Sequence, residues 1–354
     1  MIVVNYGKNW AQVTYDALAA SDIDKYLSLD HNVAIKPNLI LARPAKDGAT
    51  THPEVVEGII RYLQDYGVSS IKIIESAWVG DSTKRAFKIC GYEDLSKRFN
   101  ISLTDLKDDR SIALRADGLD IEVCQEALHT DFLINVPVLK AHCQTLMTCA
   151  LKNLKGCIPD REKRRFHSLG LHKPIAALNT LLRTGYVVVD GICGDLSFEE
   201  GGNPVEANRV IVGRNPLTVD SFCAGLIGYS PDEVGYMPHA KRLGVGDYFS
   251  SQTPLVELNA DQKPLHSPTA NRAADKYRRY IEEDSACSAC YAALVFALHR
   301  SGKPPNGKIY IGQGFRSKAN NQAGSLGIGN CASGFANFVP GCPPEALEIS
   351  KKLP

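Results

Sequence analysis

The chain has 354 residues, of which 44% are hydrophobic and 22% charged, the balance of a folded globular protein. A net charge of +1 leaves no basic excess of the kind that nucleic-acid-binding proteins usually carry. The first residues lack the pattern of a signal peptide, and no apolar run is long enough to cross a bilayer, so we expect a cytoplasmic protein without membrane contact.

The first half of the chain alternates strand-like and helix-like segments. Residues 32–35 form a short β-branched run, and residues 52–66 place their apolar side chains on one helical face. Thr51 is the predicted N-cap of this helix, Gly67 ends it, and an apolar strand follows at 71–74. Strand, helix and strand with short connections predict a βαβ unit and therefore a parallel sheet.

The same alternation continues along the chain. We predict strands at 132–136, 186–190 and 209–212, and helices at 174–182 and 218–227. The predicted fold is therefore α/β, a mostly parallel sheet flanked by helices, with a small C-terminal cysteine-rich α/β unit.

A polar, proline-containing stretch after Asp261 separates the two predicted domains, residues 1–262 and 263–354. The second domain is predicted to contain a charged helix at 273–283, an apolar helix after Cys290, a loop at 301–307, a strand at 308–312 and a last helix at 345–352.

Four of the eleven cysteines lie in this second domain: Cys287, Cys290, Cys331 and Cys342. The first two form a C-x-x-C pair at a predicted helix N-terminus, the third lies in a glycine-rich loop and the fourth is followed by proline. Four thiolates match the four iron corners of a [4Fe–4S] cluster, which we predict here. A zinc site, a redox-active pair and scattered buried cysteines are the alternatives.

Polar residues follow several predicted strands of the large domain. Because the carboxyl ends of parallel strands converge on the crevice where α/β proteins bind ligands, we expect these side chains to share one pocket. Lysine, histidine and threonine side chains there favour an anionic ligand. The predicted catalytic residues are Lys140, His142 and Lys152, and the predicted ligand-binding residues are Lys36, Asn38, His52 and Asn153. The basic segment 161–167 is predicted as a solvated loop or a lid.

The ordered motifs KPNL, TTHPEVVEGIIRYLQDYG, VPVLKAH and LKNLKG resemble the family catalogued as Domain of Unknown Function 362. The later VVVDGI and NPLTVDSFCAGLIG fit the same family, so the resemblance spans most of residues 33–228. It implies an iron–sulfur protein, since many members carry a ferredoxin-like cysteine run. The four cysteines here depart from that run and look more like the cluster loops of hydrogenase small subunits. The family is also distantly similar to the lactate racemase superfamily.

Three functions are consistent with these features. The first, which we favour, is an electron carrier or cluster-dependent oxidoreductase, acting with a redox partner protein or a small anionic substrate. The second is a non-redox isomerase or lyase with a structural cluster. The third is a non-catalytic subunit of a redox complex. The sequence does not determine the oligomeric state, and a homo-oligomer is one alternative.

Overall fold

The computed structural model describes residues 1–264, 268–270, 272–302, 305, 307–319 and 324–353. Its strands are β1 (Ile2–Tyr6), β2 (Val33–Lys36), β3 (Ile71–Glu75), β4 (Ser102–Asp105), β5 (Ser111–Ala116), β6 (Leu119–Cys124), β7 (Phe132–Asn135), β8 (Lys140–His142), β9 (Leu146–Thr148), β10 (Tyr186–Asp195), β11 (Pro204–Gly213), β12 (Leu255–Leu258), β13 (Ile281–Glu283), β14 (Ile309–Ile311), β15 (Leu326–Ile328) and β16 (Phe338–Val339). Its α-helices are α1 (Trp10–Ala19), α2 (Pro53–Tyr66), α3 (Thr83–Ile89), α4 (Tyr92–Phe99), α5 (Gln125–Leu128), α6 (Ala150–Asn153), α7 (Asp160–Ser168), α8 (His172–Leu181), α9 (Pro216–Leu226), α10 (Tyr236–Arg242), α11 (Ser288–Ser301) and α12 (Ala346–Lys352).

An eight-stranded sheet organises the large part of the chain, in the order β12-β1-β11-β10-β7-β2-β3-β4. Strand β11 runs antiparallel to both of its neighbours, and the remaining neighbouring pairs are parallel. Helices cover both faces. The predicted α/β fold with a mostly parallel sheet is therefore confirmed.

Strand β10 explains why the central strands are almost continuously apolar. Val187 and Val189 pack into the core on one face of the sheet, and Val188 packs into the core on the other. A strand that is buried on both faces has no solvent side to fill with polar residues. This burial holds the strand ends, and the side chains that follow them, in fixed positions.

Helix α2 shows one difference from its predicted start. Its N-cap is His52 rather than Thr51. The Thr51 hydroxyl instead donates to the backbone carbonyl of Val136 and accepts from the backbone N–H of Asn38, both at 2.8 Å. Thr51 therefore ties two strand-end segments together, while Gly67 ends the helix with φ +103°, as predicted.

The C-terminal unit contains a four-stranded parallel sheet, β13-β14-β15-β16, packed against α11 and α12. The predicted charged helix at 273–283 is wrong, because two short 3₁₀ turns there lead into β13, where Ile281 pairs with Ile309 of β14. The segment has no apolar helical stripe to bury, whereas the strand buries Ile281. Parts of the predicted linker and of the predicted loop at 301–307 lie outside the described residues.

The domain boundary at 262 stays a prediction. The large sheet ends with β12 and the small sheet begins with β13, so the sheets themselves are separate. Their cores touch, since Cys143 and Phe198 of the large part pack among the residues of the C-terminal core. None of the described helices combines the length and apolar character that a membrane span requires.

Candidate functional site

The carboxyl ends of β2, β3 and β7 form the floor of the site. Lys36 pairs with Asn135 across the β2–β7 ladder, and Glu75 ends β3. The Nζ of Lys36 donates to Glu75 Oε2 at 2.9 Å, to the Pro37 carbonyl at 2.7 Å and to Asn153 Oδ1 at 3.1 Å. The pair is 1% and 2% exposed, and breaking such a buried ion pair typically costs about 3–5 kcal/mol. Lys36 therefore has its three donors engaged inside the protein.

Two asparagines extend this floor. Asn153 Nδ2 donates to Asn135 Oδ1 at 2.8 Å, and Asn38 Nδ2 donates to Asn153 Oδ1 at 2.9 Å. Asn38 Oδ1 is buried and has no hydrogen-bond partner within the described part of the chain. The amide network fixes the floor and leaves one acceptor available to a ligand.

Helix α6 and the 3₁₀ turn after it carry two lysines to the wall of the site. Lys152 Nζ lies 3.3 Å from Thr148 Oγ1, and Lys155 Nζ lies 3.5 Å from His167 Nε2. Neither ammonium group forms an ion pair with any carboxylate that the structure describes. Burial lowers the pKa of both lysines, against the opposing charge of the Glu199 carboxylate. The charges of Lys152 and Lys163 add to the effect of burial on Lys155, whose pKa falls to about 7.

Lys140 lies on the hairpin of β8 and β9. Its Nζ donates to the backbone carbonyls of Ala49 at 2.7 Å and Glu199 at 2.9 Å. Burial lowers the pKa of Lys140 to about 7, partly offset by the Glu199 carboxylate and reinforced by Lys152. An ammonium group has three N–H donors, so the two bonds survive when Lys140 loses one proton. Lys140 can therefore hold or release a proton without losing its anchoring.

His142 and Glu199 form a buried pair beside Lys140. The backbone N–H groups of Gln144 and Thr145 donate to His142 Nδ1 at 3.1 and 3.2 Å, which leaves the ring proton on Nε2. Nε2 contacts the Glu199 carboxylate. Burial lowers the pKa of His142 to about 4; burial raises the pKa of Glu199, but His142, Lys152 and Lys140 outweigh it and bring it to about 2. The pair is a neutral imidazole whose Nε2 lies against a carboxylate.

His142, Cys143 and Glu199 also present a nitrogen, a sulfur and a carboxylate oxygen within 4.8 Å of one another, close enough for one metal ion. The tautomer of His142 opposes metal binding through Nε2, because that nitrogen carries the proton while Nδ1 accepts two N–H groups. Metal-bound histidines normally donate from their second nitrogen.

The four C-terminal cysteines lie in three separate segments of the small unit, each of which follows a strand of its sheet. Cys287 caps the N-terminus of α11, Cys290 lies in its first turn, Cys331 follows β15 and Cys342 follows β16. Burial, and then the negative charges that the other three cysteines would carry as thiolates, raise the pKa of Cys290. The four cysteine side chains are therefore close enough for their charges to interact. Arg316 Nε lies 3.4 Å from Cys331 Sγ.

One cavity of about 100 Å³ joins the strand-end site to these cysteines. Eight of the predicted site residues line it: Lys36, Asn38, Lys140, Lys152, Asn153, Cys287, Cys290 and Cys342. His142 lies behind Glu199, and Cys331 lies outside the lining. His52 is also outside; its Nδ1 is 2.8 Å from Asp190 Oδ2 and its ring packs edge-on against Trp10.

Several lining residues were not predicted as site residues. Glu75 directly follows the strand predicted at 71–74 and ends β3, and Glu199 follows β10 in a glycine-containing loop with no recognisable motif. Segment 161–167 is not a loop but lies in α7, which places Lys163, Arg164 and His167 on the cavity. The spacing of these three residues at i, i+1 and i+4 was the available helical signal.

Comparison with known proteins adds three findings. The "Thylakoid-associated protein sll1697" of Synechocystis sp. (strain ATCC 27184 / PCC 6803 / Kazusa) is 30% identical over 205 residues, 56% of this chain and 59% of that protein. The chain thus spans about three-fifths of the length of this curated relative. The structure of the lactate racemase apoprotein from Thermoanaerobacterium thermosaccharolyticum aligns with a TM-score of 0.42 and 13% identity, over 64% of this chain and 57% of that one.

The third finding is a family-model match over residues 33–225, which include the strand ends, the β8–β9 hairpin and α6. The match covers more than half of the chain. The protein therefore belongs to the family described as a domain of unknown function, DUF362.

Proposed function

We propose that the protein is an iron–sulfur oxidoreductase that transfers electrons to or from a small anionic substrate. The observation that carries this proposal is the shared cavity, which is lined both by Cys287, Cys290 and Cys342 and by the strand-end lysines. A substrate held by the lysines would lie next to the thiols that hold the cluster.

The donor set fits a cluster better than a single ion. No three of the sulfur atoms of Cys287, Cys290, Cys331 and Cys342, all of them described, lie within 4.8 Å of one another. One zinc ion at about 2.3 Å from each sulfur needs them closer, near 4 Å. A four-iron cluster spreads its ligands over four metal corners.

The lysines fit an anion. Lys152 and Lys155 are half-buried cations with no carboxylate at ion-pair distance among the described residues, and Glu199 is the carboxylate whose charge acts on both. An anionic ligand would supply the further negative charge that two desolvated ammonium groups side by side favour. The cavity volume suits a compact ligand such as a carboxylate or phosphate of a few heavy atoms.

The bound cluster would supply single electrons, and the protein's own residues would supply the protons that accompany them. Lys140 is suited to this task, because it keeps both carbonyl hydrogen bonds in either protonation state. His142 orients Glu199, whose carboxylate keeps the neighbouring ammonium groups in place.

The test measures whether anion binding and the cluster are coupled. In the Trp10→Phe background, Trp78 is the remaining tryptophan and lines the cavity, so its fluorescence reports binding of oxalate or inorganic phosphate. We expect oxalate or phosphate to quench Trp78 and to shift the EPR spectrum of the dithionite-reduced protein. Lys152→Gln should weaken both effects, whereas the exposed Lys88→Gln should not. Quenching with an unchanged EPR spectrum would contradict the proposal.

A non-redox isomerase or lyase is the second candidate, favoured by the buried His142–Glu199 pair beside the cavity. If the protein is an isomerase or lyase, turnover should persist when the cluster is held in one oxidation state. If it is an oxidoreductase, turnover should stop under the same condition.

A further inference from the structure

Lys155 has the most weakly held amine of the cavity lysines. Lys36 donates to three acceptors and Lys140 to two, whereas the contact of Lys155 Nζ with His167 Nε2 is 3.5 Å, long for a hydrogen bond. The side chain is half-buried and lines the cavity. Its nitrogen is therefore available to a ligand in the cavity.

The surroundings of Lys155 favour a neutral amine. Burial comes first among the causes, and together with the positive charges of Lys152 and Lys163 it outweighs the opposing charges of Glu199 and Cys287, so the pKa of Lys155 falls to about 7. A desolvated lysine next to another cation is the arrangement that activates amine nucleophiles. Lys152 lies three residues earlier, so both side chains share one face of the helical segment.

Resting on the anion cavity of the proposed function, we propose that Lys155 forms an imine with a small 2-oxo acid whose carboxylate is bound by Lys152. A 2-oxo acid has the required chemistry, because its carbonyl carbon is bonded directly to the carboxylate. The two lysines on one helical face match these two neighbouring groups, and both line the cavity.

The step is balanced without an oxidant or reductant. The neutral Nζ attacks the carbonyl carbon and forms a C–N bond, while the electron pair of the C=O bond moves to oxygen, which takes up a proton. That proton comes from the attacking nitrogen, which leaves a neutral carbinolamine. The hydroxyl then leaves as water together with the remaining N–H proton, and the electron pair of that N–H bond forms the C=N bond.

Borohydride trapping tests the proposal on the whole chain. Pyruvate and sodium cyanoborohydride, added anaerobically, convert an imine into a stable secondary amine that mass spectrometry locates by peptide mapping. We expect one adduct on Lys155 in the native protein and in the exposed control Lys88→Arg, and none on that position in Lys155→Arg, which keeps the charge. Lys152→Gln should raise the pyruvate concentration for half-labelling by about tenfold, the effect of one charged contact.

Two results would overturn the inference: labelling of Lys152 or of surface lysines to the same extent as Lys155, or no labelling while pyruvate still quenches Trp78. Iron and sulfide analysis of the same samples separates the two proposals. A Lys155 adduct in protein that binds no cluster would leave the imine standing and refute the oxidoreductase.

Discussion

Lys140 is the residue whose protonation the structure constrains most directly. In the unfolded chain a lysine titrates near 10.5, and burial brings the pKa of Lys140 in the folded protein to about 7. Below pH 7 both states are protonated and the folded state carries the full cost of the buried charge. As the pH rises from 7 towards 10.5, the folded state has already lost its proton, so the free energy of unfolding rises.

Lys140→Met removes this charge and keeps the side-chain length. We expect the stability of the variant relative to the native protein to fall by about 4 kcal/mol between pH 6 and pH 10, following the pKa difference. Urea unfolding at the two pH values measures it, with Lys88→Met as the exposed control. An equal pH dependence of native protein and Lys140→Met would show that Lys140 titrates normally.

Arg316 gives a prediction about the cluster. Its guanidinium lies against Cys331 Sγ, and a positive charge there would stabilise the more negative, reduced state of the proposed cluster. Arg316→Gln should therefore lower the reduction potential measured by EPR-monitored titration. Lys318→Gln is the matched control, because Lys318 is nearby but already paired with Asp284. A potential that is unchanged or higher in Arg316→Gln alone would contradict this role.

At this scale the sequence predicted residues that belong to recognisable polar motifs and missed Glu75 and Glu199, which end or follow a strand without such a motif. Lys36, Asn38, Lys140 and Asn153 belong to motifs at or after strand ends, and all four line the cavity. Glu199 reaches the cavity from a loop whose path is set by long-range contacts, such as the bond from Lys140 to its carbonyl. A contact between residues so far apart in sequence cannot be predicted from local sequence patterns.

Helix α6 is the element that presents Lys152 and Asn153, and a residue far away in sequence fixes its start. The carboxylate of Asp220 accepts from the backbone N–H groups of Ala150 and Leu151 at 2.7 and 3.0 Å. Burial raises the pKa of Asp220 to about 7, from an ordinary value of 3.8. The carboxyl group therefore stabilises the folded state most below pH 4, and this contribution is lost as the pH rises through 7.

Asp220→Asn removes the titration and keeps a side-chain carbonyl oxygen for the cap. We predict that the native protein loses about 4 kcal/mol of stability relative to this variant between pH 4 and pH 8, measured by denaturant unfolding. Asp220→Ala should be less stable than both at every pH, because two buried N–H groups lose their acceptor. If native protein and Asp220→Asn change in parallel, the carboxyl group is not titrating in this range.

Elements in which the apolar pattern repeats over several turns were predictable from the sequence. Elements of only three residues were not. Helix α2 has a clear stripe and a C-terminal glycine, and its predicted end is correct. The β8–β9 hairpin has three residues in each strand and no hairpin-type turn signal, so only the motif around Lys140 indicated its importance. The helix predicted at 273–283, before Cys287, is wrong because the prediction relied on the pattern of charged residues. Pairing of β13 with β14 determines the structure of this segment.

At the scale of the whole molecule, the sequence indicated a group of cysteines in the C-terminal unit and a group of lysines in the large domain. It did not indicate that the two groups line one cavity. The docking depends on contacts such as Gln144 with the Ala286 carbonyl at 3.0 Å and Ser288 with Gln144 at 2.7 Å, which join residues more than 140 positions apart. This packing places the thiols on the wall of the lysine cavity. The proposed function depends on that arrangement.

The most direct test of the central claim is the iron and acid-labile sulfide content of the reconstituted protein, measured anaerobically together with EPR. We predict about four iron and four sulfide per chain, as in a [4Fe–4S] cluster, and an EPR signal after reduction with dithionite. Cys342→Ala should lose the cluster, while Cys193→Ala, a buried cysteine outside the cavity lining, should keep it. One zinc per chain, or equal iron in the native protein and Cys342→Ala, would show that the four cysteines do not hold an iron–sulfur cluster.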